Sequence, residues 1–218
     1  MISAQGRGRS AAMREDVPME FQEVVRRRRM VRNFDPDREV PPEVRDRILD
    51  NALRAPSAGF SQGFEFLVLE AAEDRARFWA ATWPEHRDEE LPHLVGMRRA
   101  PLLVVPLSNK GTYLDRYAER DKGWTDRSEA RWPVPYWDID TGFAALLMLL
   151  TVVDAGLGAC FFGISPDEIP GFRSAFGIPD ALCPIGALSI GYRAPDTPSP
   201  SIANRRRDRS DVVHFARW

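Results

Sequence analysis

The 218-residue chain carries 30 lysines and arginines against 32 aspartates and glutamates, a formal net charge of −2. This balance provides no global positive field for nucleic acid or an anionic membrane. Hydrophobic residues make up 44% of the chain, enough to bury the core of one domain. The two cysteines lack C-x-x-C spacing and the three histidines lack an H-E-x-x-H pair, which argues against a disulfide framework and a metal site.

The N-terminal segment, residues 1–18, is predicted to be a disordered tail. It lacks the apolar h-region of a secretory signal, so we expect the protein to stay in the cytoplasm. A single domain is predicted over residues 19–218. It opens with a short helix in "MEFQEVVRRRR". A second helix follows in "PPEVRDRILDNALRA", where prolines begin the first turn and apolar residues recur at helical spacing.

The middle of the chain mixes strands and helices. "FEFLVLE" predicts a strand, residues 72–82 a helix and "PLLVVPL" a second strand. Residues 111–135 are polar and rich in tryptophan, and we expect an irregular connection that is functional or mobile. "WDIDTGFAALLMLLTVVDAG" predicts a long helix that is apolar on nearly every face and ends at Gly156. Its apolar stretch is shorter than the roughly 20 residues that span a bilayer, so we expect it to be surrounded by protein.

The C-terminal third is predicted to add a helix and two buried segments. "LGACFFGI" indicates a buried strand or loop, "SPDEIPGFRSAFG" a helix capped by Ser165, and "PIGALSIGYR" a last buried strand. The elements do not alternate regularly as βαβ units, which favours an α+β fold over a doubly wound sheet. The glycines of "GLGACFFG" do not form a dinucleotide fingerprint, because Phe161 occupies the third glycine position and the helix precedes the motif.

Five arginines lie within the seven positions 26–32, in "VVRRRRMVRNF". A guanidinium group makes two parallel charge-assisted hydrogen bonds to a phosphate or carboxylate, so converging arginines indicate a doubly charged anion. Two alternatives remain open from the run alone. One is a solvated helix face without a ligand, and the other is a nucleic-acid-binding patch on a protein that is not an enzyme.

Four segments together resemble the nitroreductase family of FMN-dependent oxidoreductases: "RRMVRNF", "APSAGFSQ", the apolar helix leading into "GLGACFFGI", and the terminal "NRRRDRSDVVHFARW". The resemblance extends from residue 20 to residue 218. It implies a nitroreductase-like fold with a central, mainly antiparallel sheet flanked by helices. It also implies an intertwined homodimer with flavin sites at the subunit interface.

The resemblance assigns cofactor contacts residue by residue. The first motif of the family holds the FMN phosphate and ribityl chain, the second reaches the flavin from the partner subunit, and the segment after the long helix passes the isoalloxazine ring. A basic pair near the C-terminus closes on the phosphate. The positions that match these motifs are Arg28, Arg29, Met30, Arg32, Pro56, Ser57, Ala58, Phe60, Gln62, Phe161, Phe162, Gly163, Arg205 and Arg207. A backbone N–H near Gly163 would point at flavin N5.

This sequence departs from the family pattern at three of its motif positions. Met30 stands where the family usually has serine, so only the backbone N–H remains for that contact. Phe60 and Gly63 replace the asparagine and proline of "N-x-Q-P-W". The form "APSAGFSQ" is closer to the branch that includes the flavin destructase, which leaves the substrate class open.

The activity implied by the resemblance is hydride transfer from NADH or NADPH through FMN to a nitroaromatic, quinone or similar acceptor, in a ping-pong sequence. An oxidase or flavin-destructase-like reaction is the alternative within the family. No catalytic residue is assigned, since the cofactor carries the chemistry. Cys160 is expected to be buried and structural. Two alternatives remain open for Gly156 and Gly158, which either contact the flavin or only form a helix cap and turn. The tryptophans of residues 124–137 either line a substrate pocket or pack the dimer.

Overall fold

The computed structural model describes residues 19–84, 89, 91–196 and 207–218. The predicted tail, residues 1–18, and Arg205 lie outside these ranges. Within them the chain forms six α-helices, α1 Phe21–Arg27, α2 Pro42–Ala52, α3 Ala72–Thr82, α4 Lys110–Ala118, α5 Tyr136–Asp154 and α6 Ile169–Phe176. Short 3-10 helices span Ala58–Phe60, Pro92–Arg99, Glu129–Arg131, Pro166–Glu168 and Arg209–Asp211. The strands are β1 Phe64–Leu69, β2 Leu102–Asn109, β3 Gly158–Phe162, β4 Leu182–Pro184 and β5 Ala187–Gly191.

The strands form one sheet in the order β1-β2-β5-β3, and β4 also pairs with β2. Each of these pairings is antiparallel. The predicted α+β class with a central antiparallel sheet is therefore confirmed. β1 and β2 are consecutive strands, whereas the neighbours β2 and β5, and β5 and β3, are not consecutive along the chain.

Helices cover both faces of the sheet and give a three-layer domain. Leu102 and Val104 of β2 pack with residues of α2 and α5, whereas Leu103 and Val105 pack with residues of α3 and α6 on the opposite face. Successive side chains of a strand point to opposite faces, so a strand covered on both sides reads as a continuous apolar run. "PLLVVPL" has this pattern for that reason.

Helix α5 is the central helix of one layer. It is long and apolar enough to cross a membrane by length and composition, but half of its most apolar window is buried in the domain. The prediction that protein surrounds it is met only on the face that packs on the sheet and α2. On the other face Ile139, Phe143 and Leu146 are 37%, 43% and 46% exposed. They recur at helical spacing and form one exposed apolar stripe.

Two elements differ from the predictions. Residues 110–118 form α4 rather than an irregular connection, because the Asn109 side chain accepts a hydrogen bond from the Thr112 N–H at 3.3 Å and caps the helix. Tyr113 anchors this helix with a fully buried side chain. The predicted cap at Ser165 is wrong, since Ser165 makes no side-chain capping bond and a 3-10 turn precedes α6.

Gly63 is expected to be essential for stability. A Cβ at this position would lie 2.5 Å from a Tyr113 ring carbon and 2.8 Å from the Asn109 carbonyl oxygen. Overpacking of this kind costs about 1–3 kcal/mol, so Gly63→Ala should lower the free energy of unfolding by about 2 kcal/mol in a urea titration. Gly142→Ala is the control, because its Cβ would meet no atom within 4 Å. Equal losses for the two variants would contradict the packing account.

Candidate functional site

The first two arginines of the run are paired locally. The guanidinium of Arg26 binds the Glu23 carboxylate at 2.8 Å, and Arg27 binds its other oxygen at 2.5 Å. These hydrogen bonds hold the pKa of Glu23 below its ordinary value. The interpretation as a solvated helix face therefore fits Arg26 and Arg27, which lie in the last turn of α1.

The remaining arginines of the run lie in an extended segment beside β3. The Val31 N–H donates to the Ala159 carbonyl at 2.9 Å, and Met30 forms a parallel bridge with Ala159. In the described part of the chain, the side chains of Arg28 and Arg32 make no hydrogen bond or ion pair. Arg28 and Arg32 flank Met30 at alternate positions of this segment.

The charge of Arg29 acts on Arg193, a basic residue that the sequence did not mark. Burial lowers the pKa of Arg193, and the charges of Arg29 and Arg27 lower it further. The Arg193 Nε donates to the Leu157 carbonyl at 3.1 Å. Arg193 follows the last strand as a lone arginine outside any run, so no sequence signal marked it. The positive charges of Arg29 and Arg193 together favour an anion nearby.

A small apolar pocket lies beside the Met30 side chain. Its volume is about 130 Å³, and it is lined by Met30, Gly142, Ala145, Leu146, Leu149 and Phe161. The Phe161 N–H donates to the Met30 thioether sulfur at 3.4 Å, which ties the arginine segment to β3. Leu146 belongs to the exposed stripe of α5, so the pocket opens at that stripe.

The two phenylalanines of β3 point in opposite directions. The Phe161 ring lines the small pocket, whereas the Phe162 ring stacks on Trp79 with centroids 5.4 Å apart in the core on the other face of the sheet. Only the backbone of Phe162 is therefore available to a cofactor at the pocket. Gly163 follows at the surface, and a Cβ there would meet no atom within 4 Å.

The loop of residues 57–62 is held by hydrogen bonds to its own backbone and to the helices behind it. The Ser57 hydroxyl accepts from the Gln62 N–H at 2.9 Å, and the Ala58 N–H donates to the buried Asp140 carboxylate at 2.8 Å. Phe60 stands at the tip with its side chain 76% exposed. Pro56 lies apart from this tip, in a groove of about 530 Å³ between α1, α2 and α5.

The aromatic residues of the tryptophan-rich segment pack on one another. The ring centroids of Tyr117 and Trp132 are 4.5 Å apart, and those of Trp124 and Trp132 are 5.5 Å apart. This cluster supports the 57–62 loop, because a Cβ on Gly59 would lie 2.6 Å from a Tyr117 ring carbon. The structure thus shows packing for these rings, and a role in a substrate pocket stays a prediction.

The C-terminal arm, residues 207–218, is exposed along its whole length. Arg207 donates to the Asp211 carbonyl at 2.6 Å within the arm. Phe215 and Trp218 are exposed large apolar residues, and His214 packs on Trp218 with centroids 4.4 Å apart. An arm with exposed aromatic side chains is typical of a segment that contacts another chain.

The family model described as "Nitroreductase family" matches residues 25–192. The chain belongs to the nitroreductase family. Three relatives support the assignment in sequence or in structure, and they confirm the nitroreductase-like fold.

A protein of Methanothermobacter thermautotrophicus named "Putative NADH dehydrogenase/NAD(P)H nitroreductase" is 27% identical over 202 residues, covering 92% of this chain and 88% of that protein. A nitroreductase family protein from Clostridium difficile 630 is 25% identical with a TM-score of 0.66, covering 92% of this chain and 100% of that one. A "putative nitroreductase in complex with FMN" from Exiguobacterium sibiricum 255-15 is 22% identical with a TM-score of 0.68, covering 90% of this chain and 97% of that one.

Two glycines of this nitroreductase-family chain have local structural roles. Gly156 adopts φ +74° just after α5, a left-handed conformation that ends the helix. Gly158 lies where a Cβ would approach Val31 at 2.9 Å and the Arg193 side chain at 2.8 Å. Glycine at 158 is therefore needed for the close approach of the arginine segment to β3.

Among the described residues, no group of three His, Cys, Asp or Glu side chains could hold a metal ion.

Cys160 is buried in the core, as predicted, and Cys183 is exposed. Burial raises the pKa of the Cys160 thiol to about 11, with a small opposing effect of the Arg32 charge. Because the thiolate is the reactive form, iodoacetamide at pH 8 is expected to alkylate Cys183 and leave Cys160 unmodified in the folded protein. Peptide mass spectrometry checks this result, and labelling in guanidinium chloride, where both thiols react, is the control. Equal labelling rates in the folded protein would contradict it.

Proposed function

We propose that this protein is an FMN-dependent oxidoreductase that takes hydride from NADH or NADPH and passes it to a nitroaromatic, quinone or similar acceptor by a ping-pong mechanism. The observation that carries the proposal is the pair Arg28 and Arg32, whose side chains lack a partner among the described residues and which flank Met30, a residue that lines the small pocket with Phe161. A relative bound to FMN and another named for NAD(P)H support it.

The residues present fit the phosphate of FMN. Guanidinium groups form charge-assisted bidentate hydrogen bonds with phosphate oxygens, and Arg28 and Arg32 are available for such bonds. Arg29 and Arg193 add positive charge close to the same segment. We propose that Arg207 and Arg205 complete the phosphate site, with Arg205 outside the described residues.

The small pocket by itself does not enclose a flavin. Pockets that bury a ligand of this size usually measure about 300–1,000 Å³, whereas the Met30–Phe161 pocket measures about 130 Å³. It opens at the exposed stripe of Ile139, Phe143 and Leu146. A second copy of the chain on this stripe would deepen the pocket. We therefore propose an intertwined homodimer with two flavin sites at its interface.

In this mechanism bound FMN supplies the hydride chemistry, and one site serves reductant and acceptor in succession. The arginines hold the phosphate, and Met30 and Phe161 provide an apolar wall. The chain is open at Gly163, where a Cβ would meet no atom within 4 Å. We propose that the loop of the partner subunit approaches the same ligand from this side, through Pro56, Ser57, Ala58, Phe60 and Gln62. No side chain of this site is assigned a proton-transfer role. We also propose that the enzyme acts in the cytoplasm.

Initial-rate kinetics test the ping-pong proposal. Double-reciprocal plots against NADH at several concentrations of a quinone acceptor are expected to give parallel lines. Intersecting lines would contradict a shared site.

If turnover requires only oxygen, product analysis in air distinguishes the alternatives, because an oxidase releases hydrogen peroxide and a flavin-destructase-like enzyme consumes FMN. The nucleic-acid alternative is less well supported, since Arg26 and Arg27 are paired with Glu23.

A further inference from the structure

One buried carboxylate joins three elements that are distant in sequence. Asp140 of α5 is 3% exposed, and its Oδ2 accepts hydrogen bonds at 2.8 Å from both the Ala58 N–H and the Tyr113 hydroxyl. Tyr113 of α4 is itself fully buried. Burial and the bond to Asp140 raise the pKa of the Tyr113 hydroxyl far above its ordinary range, so it remains a donor at physiological pH.

The loop that this carboxylate holds has a strained backbone. Gly59, Phe60 and Gln62 have φ values of 62°, 56° and 53°. Such angles are rare for residues other than glycine, and at Phe60 and Gln62 each costs about 1–3 kcal/mol unless the surroundings enforce it. The Phe60 ring is also left in solvent. A strained turn with an exposed aromatic tip is typical of a segment that is shaped for a ligand.

Hydrogen bonds within the loop and to the helices behind it enforce the conformation. The Ser57 hydroxyl closes the turn from within, and Arg116 Nε donates to the Gly59 carbonyl at 3.0 Å. Asp140 joins the loop to α4 and α5 in the buried interior, through the Ala58 N–H and the Tyr113 hydroxyl. Its second bond, from Tyr113, fixes the orientation of the carboxylate. Without that bond the carboxylate can rotate and the loop can relax toward unstrained angles.

We propose that Asp140 and Tyr113 are positioning residues that hold the 57–62 loop in the strained form in which Phe60 and Gln62 meet the flavin and its acceptor. The inference rests on the proposed function, because it requires that the loop contact the cofactor. Preorganisation of this kind increases affinity, since the bound loop loses less conformational freedom on binding. Neither residue touches the ligand itself.

Tyr113→Phe is the main test, because it removes one hydroxyl and retains the buried ring. Asp138→Asn is the matched control. Asp138 lies one half-turn earlier on α5 and accepts from the Ser108 hydroxyl at 2.6 Å, and among the described residues no hydrogen bond joins it to the loop. For each variant we would measure the FMN dissociation constant by flavin fluorescence, hydrogen exchange of the 57–62 peptide in the apo protein, and the melting temperature.

Tyr113→Phe is expected to weaken FMN binding about tenfold and to accelerate exchange in the 57–62 peptide, whereas Asp138→Asn leaves both unchanged. Asp140→Asn keeps an acceptor oxygen but loses the charge. Its FMN affinity and its exchange in the 57–62 peptide should lie between those of Tyr113→Phe and Asp138→Asn. A lower melting temperature for Tyr113→Phe with unchanged FMN affinity and exchange would overturn the inference. If the wild-type protein binds no FMN, the proposed function fails. Equal hydrogen exchange of the 57–62 peptide in Tyr113→Phe and Asp138→Asn would overturn the anchoring of the loop by Tyr113, whether or not FMN binds.

Discussion

Replacing Arg28 and Arg32 together with alanine is expected to weaken FMN binding about a thousandfold. Each hydrogen bond to a charged group contributes about 1.5–3 kcal/mol, so the loss of two guanidinium groups corresponds to roughly 4 kcal/mol. Both side chains lack a partner among the described residues, so no internal ion pair is broken by the change. Fluorescence titration of the apo protein with FMN measures the effect.

The matched control is Arg26→Ala with Arg27→Ala, which removes the same charge from the same run. Those two arginines are paired with Glu23, and we expect less than a threefold change in FMN affinity. Both double variants should melt close to the wild type. Equal losses of FMN affinity in the two double variants would show that only net charge matters and would contradict the assignment to Arg28 and Arg32.

Phe143→Glu is expected to dissociate the proposed dimer and to abolish FMN retention. Phe143 is 43% exposed in the middle of the apolar stripe of α5. A two-fold interface places each substitution in the assembly twice, so two charges would be buried against apolar surface. Sedimentation velocity measures the change from dimer to monomer. The flavin should be lost with the partner, because the remaining pocket measures only about 130 Å³.

Phe143→Leu is the control, since it preserves an apolar side chain on the stripe. It should remain dimeric and retain FMN. A Phe143→Glu variant that is still dimeric would place the interface elsewhere on the chain. A monomeric variant that binds FMN as tightly as the wild type would show that one subunit completes the flavin site.

The layered α+β fold was predictable where hydrophobic periodicity is strong. β2 reads as a continuous apolar run because it is buried on both faces, and α5 is long and apolar. Helix α4 was missed because its surroundings are polar and rich in tryptophan, although Asn109 offered a capping signal. β4 has only three residues, too few for any periodicity to be detected.

The candidate site was less predictable than the fold. Motif matching marked the arginine segment and the 57–62 loop, but it gave no reason to select Arg193 or Asp140, whose contacts join residues far apart in sequence. Strand alternation does separate Phe161 from Phe162, so the sequence alone could have assigned only one of their side chains to the pocket. The pairing of Arg26 and Arg27 with Glu23 likewise follows from helical i, i+3 and i, i+4 spacing.

The visible absorption spectrum of the freshly purified protein, followed by anaerobic titration with NADH and with NADPH, tests the central claim most directly. The account predicts the bands of oxidised flavin, one FMN per chain, and bleaching by at least one of the two nucleotides. A colourless protein that cannot be reconstituted with FMN would contradict it. Bound flavin that neither nucleotide bleaches would contradict the NAD(P)H reductase reaction while leaving the flavin site in place.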